Sequence, residues 1–137
     1  MGELTRIQLS EMARVWREMA RNLNAWQGLH WHDLTTVQHL DLNAYQNSLL
    51  TRAQDIDDRA YLLLTEPTEP TFALALHLVG QATQTLQITA EQIVALNLGA
   101  LTVALAAGIA RNNTPTIQLA MAELTGLIEK VMRMEKS

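Results

Sequence analysis

The run Ile93-Val-Ala-Leu-Asn-Leu-Gly-Ala-Leu-Thr-Val-Ala-Leu-Ala-Ala-Gly-Ile-Ala110 is apolar on every side of a helix except at Asn97 and Thr102. A helix of that kind has to be covered all round. Three readings compete for it. A membrane span needs about 20 apolar residues; this run has 18, diluted by alanine, glycine and threonine and flanked by an acid and a base, so the membrane reading is the weakest of the three. An isolated four-helix bundle leaves each helix with one face in water, which here exposes a large apolar patch. A homo-oligomer buries that patch, and Gly99, Ala100, Ala104, Ala107 and Gly108 permit close approach of a neighbouring helix.

The run closes a longer segment, Phe72 to Arg111, whose only charges among 40 residues are Glu91 and Arg111. It reads either as one long helix over 72–111 or as a short helix over about 72–86 followed by a longer one, because Thr89-Ala-Glu-Gln92 has the form of a capping box near a break at 87–89. Outward from it, Pro67 and Pro70 interrupt the chain on one side and Asn112-Asn113-Thr114-Pro115 on the other. In the second interruption the asparagines suit a helix end, Thr114 a cap, and Pro115 a first turn.

The flanking segments are amphipathic. Leu9, Met12, Val15, Trp16, Met19, Leu23 and Trp26 recur at three and four, with Arg14, Glu18 and Arg21 opposite, which predicts a helix over about 5–31. Leu42, Tyr45, Leu49, Ile56, Ala60 and Leu63 predict another over about 36–64, after the polar capping residues His32-Asp33-Leu34-Thr35-Thr36. Ile117, Ala120, Leu124, Leu127, Ile128 and Val131 predict the last, over about 116–135. No run alternates with period two. The expected fold is all-α, an up-and-down four-helix bundle forming one domain over 1–137.

Composition narrows function. The chain has no cysteine, which excludes a disulfide framework, a thiolate nucleophile and cysteine-ligated metals. Ten basic against fourteen acidic residues give a formal charge of −4, and such a chain repels phosphate backbones on average. Arg14, Arg17 and Arg21 share a stripe, but Glu18 breaks it, so no nucleic-acid partner is expected. Ser10 and Ser48 lack His/Asp partners at recognisable spacing, and no glycine-rich phosphate loop occurs. No basic region followed by an apolar stretch opens the chain, and a cytoplasmic location is the expectation.

The groups with metal-ligating chemistry are the histidines His30, His32, His39 and His77 and the aspartates near them. His30 and His32 stand about 200° apart on a helix and cannot chelate one ion while both are helical. On the second helix His39, Asn43, Leu50, Gln54, Asp58 and Tyr61 share a stripe, the arrangement from which bundle metal sites are built.

A helix ending in His30-Trp31, then His39 and Asn43, then Gln54 and Asp58-Arg59-Ala60, a Thr/Pro-rich connector, a third helix and a polar turn before a fourth together resemble the Dps branch of the ferritin-like superfamily. The resemblance spans nearly the whole chain in order and spacing; His-Trp and Asp-Arg-Ala are its near-literal matches. It implies bundles that assemble into hollow dodecamers, oxidise and store iron and often bind DNA, with a metal site between subunits. It places that site on His30, His39, Asn43, Gln54 and Asp58. The family carries acids where Asn43 and Gln54 stand, and the turn after His-Trp is shorter here, so a small shift brings Asp41, Asp55 or Asp57 into play. Iron favours anionic oxygen ligands; with two acids replaced by amides, weak ferroxidase activity at most is implied. A single iron or zinc ion on His30, His39 and Asp58, with His32 and Asp57 nearby, stays within ligand chemistry. Met1–Gln8, with one acid and one arginine, and the closing Glu135-Lys136-Ser137 do not resemble the family's lysine-rich DNA-binding tail, so DNA binding is not expected. The alternative is a metal-free structural or interaction protein that keeps the bundle and its assembly.

Overall fold

In a computed structural model the protein is described over residues 2–58, 69–111 and 113–136, with side chains over 9–57, 73–111 and 113–134. Every regular element among them is helical: α1 (Gly2–Leu29), α2 (Thr36–Asp58), α3 (Glu69–Ile88), α4 (Gln92–Ala110) and α5 (Thr114–Lys136), with a short 3-10 turn at Trp31–Asp33. The all-α reading therefore stands, and the helix count rises from four to five because segment 72–111 is two helices. The expected end of the second helix, 59–64, lies outside the described residues.

Local chemistry sets each boundary. At the start of α2, Gln38 N–H donates to Thr35 Oγ1 at 3.1 Å while Thr35 N–H donates to Gln38 Oε1 at 3.0 Å, the reciprocal bonds of a capping box. Between α3 and α4 the expected box does not form. Thr89 Oγ1 accepts from Glu91 N–H at 3.3 Å, α4 starts at Gln92, and the Gln92 side chain donates to the Asp33 carbonyl instead of reaching back. At α5 the cap is Asn113, whose Oδ1 accepts Thr116 N–H at 3.2 Å, rather than Thr114; Pro115 does fall in the first turn.

Cross-links between helices give their directions. Gln27 bonds His39 and Asn43 at one end of the α1/α2 pair while Arg17 pairs with Asp57 at the other, so the two are antiparallel. Gln92 reaches Asp33, and Gly99 lies against Leu23 and Tyr45; α4 therefore runs against α1 and alongside α2. α3 ends where Gln87 Nε2 donates to Asn22 Oδ1 at 2.9 Å and Trp26 Nε1 donates to the Thr89 carbonyl at 2.9 Å. Its preceding turns therefore pack back along α1, parallel to it. α5 returns antiparallel to α4 after a tight connection in which Asn113 N–H donates to the Gly108 carbonyl at 2.9 Å. Around the bundle the order is α1, α2, α4, α5, α3 and back to α1.

The core is filled by Trp16, Met19 and Leu23 of α1, Leu42 and Leu49 of α2, Leu98 and Leu105 of α4 and Ile117 and Leu124 of α5. Buried threonines inside the helices do not break it, because their hydroxyls are satisfied within the helix: Thr102 Oγ1 donates to the Leu98 carbonyl at 2.7 Å and Thr83 Oγ1 to Val79 at 2.9 Å. α4 is covered incompletely: Leu96, Leu101, Val103, Ala104 and Ile109 pack against the core but are only partly buried. By length and composition it could cross a membrane, yet 44 % of its most apolar window is buried inside the bundle, with Ile93 exposed and Ala100, Ala104 and Ala107 half-buried.

Candidate functional site

Three of the expected ligands, His30, His39 and Asn43, stand where α1 ends and α2 begins, and there the sequence places a buried amide at a core-facing position. Gln27 follows Leu23 by four residues and Ala20 by seven, so it lies on the apolar face of α1, and it is 3 % exposed. A buried amide requires partners. Gln27 Nε2 donates to His39 Nδ1 at 2.9 Å and to Asn43 Oδ1 at 3.1 Å, and Gln27 Oε1 accepts from Gln46 Nε2 at 2.7 Å.

These bonds fix the state of His39. An amide nitrogen can only donate, so Nδ1 is the acceptor and the ring proton sits on Nε2, which donates to the Trp31 carbonyl at 3.0 Å. Both ring nitrogens of His39 are thus engaged within the chain. Its ring lies tilted against that of Trp31, with centroids 4.1 Å apart. His30, in the turn just past α1, stacks on Trp26 at 4.0 Å, and its Nδ1 donates to the Trp26 carbonyl at 2.9 Å. That bond leaves the Nε2 lone pair of His30 as its remaining donor atom. His32 sits exposed in the 3-10 turn.

The other expected ligands lie elsewhere. Gln54 is exposed about 22 Å along α2 from His39 at 1.5 Å per residue, and the side chain of Asp58 falls outside the described residues. One chain therefore brings together His30, His39 and Asn43 and leaves Gln54 and Asp58 at the far end of the helix. Asp57 pairs with Arg17, and Arg14 pairs with Glu11 and Glu18, so two arginines of the α1 stripe are neutralised by nearby acids. The Arg14 guanidinium, by hydrogen bonding, holds the Glu11 carboxyl below its usual range.

An iron centre asks for anionic oxygens and free imidazole nitrogens. The corner offers neutral amides at Asn43 and Gln27, and an imidazole with neither nitrogen to spare. Among the described residues no three His, Asp or Glu side chains converge in metal-holding geometry. Within one chain, the described residues at this corner do not supply a two-iron ligand set.

No family model, curated protein or solved structure matches this chain. The corner is thus read from its own chemistry, and Gln27 is the member that a search for metal ligands passes over. Its signal was present as a lone amide on an otherwise apolar face.

Proposed function

We propose that the chain is a ferritin-like, Dps-type bundle that self-associates and has given up two-iron oxidation, working as a structural or interaction subunit. The observation that carries this reading is α4, an apolar helix that its own chain covers incompletely, with Ile93 exposed and Ala100, Ala104 and Ala107 half-buried, since in water such residues are hidden by assembly. The ferritin-like part is supported by topology. Helices α1, α2, α4 and α5 make antiparallel pairs, and the parallel neighbours α2 and α4 are joined by one long crossover containing α3, the connection that distinguishes ferritin-like bundles from strictly alternating ones. The loss of iron chemistry is supported by the bonding of His39, whose nitrogens serve the Gln27 network.

Size exclusion with light scattering, followed by elemental analysis after incubation with iron(II), tests both parts. The expected result is a homo-oligomer whose iron content stays well short of a two-metal load and which oxidises iron(II) no faster than buffer. A monomer refutes the assembly, and fast oxidation with stoichiometric iron refutes the loss of the centre.

A further inference from the structure

The water-facing side of α2 is short of charge. Between Thr36 and Gln54 the charged residues are Asp41 and Arg52, and both ring nitrogens of His39 are engaged within the chain. Val37, Leu40, Ala44, Asn47, Thr51 and Gln54 follow one another at alternating steps of three and four, the spacing of a seam that packs against another helix. All six are exposed, Val37 at 65 % and Leu40 at 61 %, where the outer side of a bundle helix ordinarily carries charges. Arg52 follows Asp41 by 11 residues, so the two share one flank of the helix to within about 20°. That flank lies toward α4, because Tyr45, one turn beyond Asp41, lies against Gly99. Both charged side chains are half-buried. Among the described residues neither makes an ion pair, and the buried Nε of Arg52 has no hydrogen-bond acceptor.

We propose that α2 pairs antiparallel with α2 of a second copy across a two-fold axis passing between Ala44 and Asn47. This rests on the self-association proposed above and locates it. A two-fold interface sets one patch against itself. About such an axis Ala44 faces the partner copy's Asn47, Leu40 the partner copy's Thr51 and Val37 the partner copy's Gln54, so the exposed valine and leucine are covered by uncharged side chains. On the flank beside the seam each Asp41 comes within reach of the partner copy's Arg52, which supplies the counter-charge that each lacks in its own chain. A parallel pairing would set Asp41 against Asp41 and Arg52 against Arg52, so the charge pattern selects the antiparallel copy. A lipid surface would take both charges out of water unpaired. α4 lies beside α2, so a copy seated on this seam also reaches the open side of α4.

The chain lacks cysteine, so cross-linking can be read without background. Leu40→Cys and Thr51→Cys chains, both altered at exposed positions, are oxidised separately and after mixing. The antiparallel pairing sets position 40 of one copy opposite position 51 of the other and leaves like positions about 16 Å apart along the helix, far beyond disulfide reach. Disulfide dimer is expected from the mixture and little from either chain alone. Asp41→Arg, Arg52→Asp and the double variant are compared with the parent by light scattering, with circular dichroism checking that each is folded. Each single reversal should weaken dimerisation about tenfold, because two attractive pairs per dimer become repulsive, and the double variant should return to within about threefold of the parent. Strong cross-linking of Leu40→Cys with itself, or a double variant as weak as the single ones, overturns the antiparallel α2 pairing while leaving assembly intact. A monomeric parent overturns both proposals, and transfer of the parent onto phosphatidylcholine vesicles with loss of the dimer assigns the face to a membrane and overturns this one.

Discussion

Replacing Gln27 by leucine keeps the volume and removes the amide that ties α1 to α2. The side chain is 3 % exposed and makes bonds of 2.9 and 3.1 Å as donor and 2.7 Å as acceptor. A net contribution of about 0.5–1.5 kcal/mol per bond gives a range of about 1.5–4.5 kcal/mol. Two effects favour its lower half: His39 and Gln46 are only half-buried and Asn43 is exposed, so they recover water, and leucine has no amide to desolvate. The expected loss is about 2 kcal/mol, or a fall in Tm of about 7 °C for a chain of this length. Urea unfolding followed by circular dichroism, at fixed protein concentration because assembly shifts the midpoint, measures it. An unchanged slope with a lower midpoint is the expected form. A loss below about 0.5 kcal/mol, within the range of ordinary surface substitutions, would mean that the network is solvated and does not latch the corner.

Glycines separate two physical effects. A Cβ at Gly99 would stand 2.9 Å from Tyr45 Cδ2 and 3.3 Å from Leu23 Cδ2, so Gly99→Ala should cost about 1 kcal/mol or more of overpacking despite its better helix propensity. Nothing lies within 4 Å of a Cβ at Gly80 or Gly126, and alanine at either should stabilise by about 0.5–1 kcal/mol in the same assay. Burial, and secondarily the charge of Asp41, push the Tyr45 phenol above its usual value of 10.0. The unfolded chain therefore releases that proton first, and stability present below pH 10 should decline as pH rises beyond it; Tyr45→Phe should flatten this alkaline decline, and an identical slope in the variant would show that Tyr45 does not contribute. Asn43→Asp with Gln54→Asp returns two carboxylates to the positions that resemble the family's site, and the double variant should bind more iron per chain than the parent by elemental analysis. Equal uptake would show that the latched His39, rather than missing charge, is what prevents binding.

Much of the fold was legible because helical periodicity is a local signal. The apolar positions of α1, α2 and α5 marked the buried faces, and the run Ile93 to Ala110 announced a helix needing cover on all sides. Periodicity leaves the break in segment 72–111 open, because one helix and two satisfy it equally. It is settled by contacts distant in sequence, with Trp26 holding the Thr89 carbonyl and Asp33 drawing the Gln92 amide away from a cap. Thr35 and Thr89 show the limit of motif reading: each precedes a glutamine by three residues, and only the first forms the reciprocal box. At the site, ligand-type residues were visible by identity. Their hydrogen-bond partners were not, and those partners decide whether an imidazole nitrogen is available. Asn43 fell within the expected set yet serves as an acceptor for Gln27, a role that spacing alone does not distinguish from ligation.

The short connections between neighbouring helices bear on the order in which the chain acquires its structure. α1 with α2, and α4 with α5, are hairpins closed by short connections, and short loops cost little entropy to close. α3 is held at its C-terminal end to α1 by partners 65 and 63 residues apart, Gln87 to Asn22 and Thr89 to Trp26. The two hairpins are therefore expected to form before α3, whose contacts to α1 are distant in sequence, docks between α1 and α5. Trp26 sits at that join, so in a chain with Trp16 and Trp31 replaced by phenylalanine its emission should report the late step while backbone ellipticity reports the early one, and the two signals should separate in time on refolding.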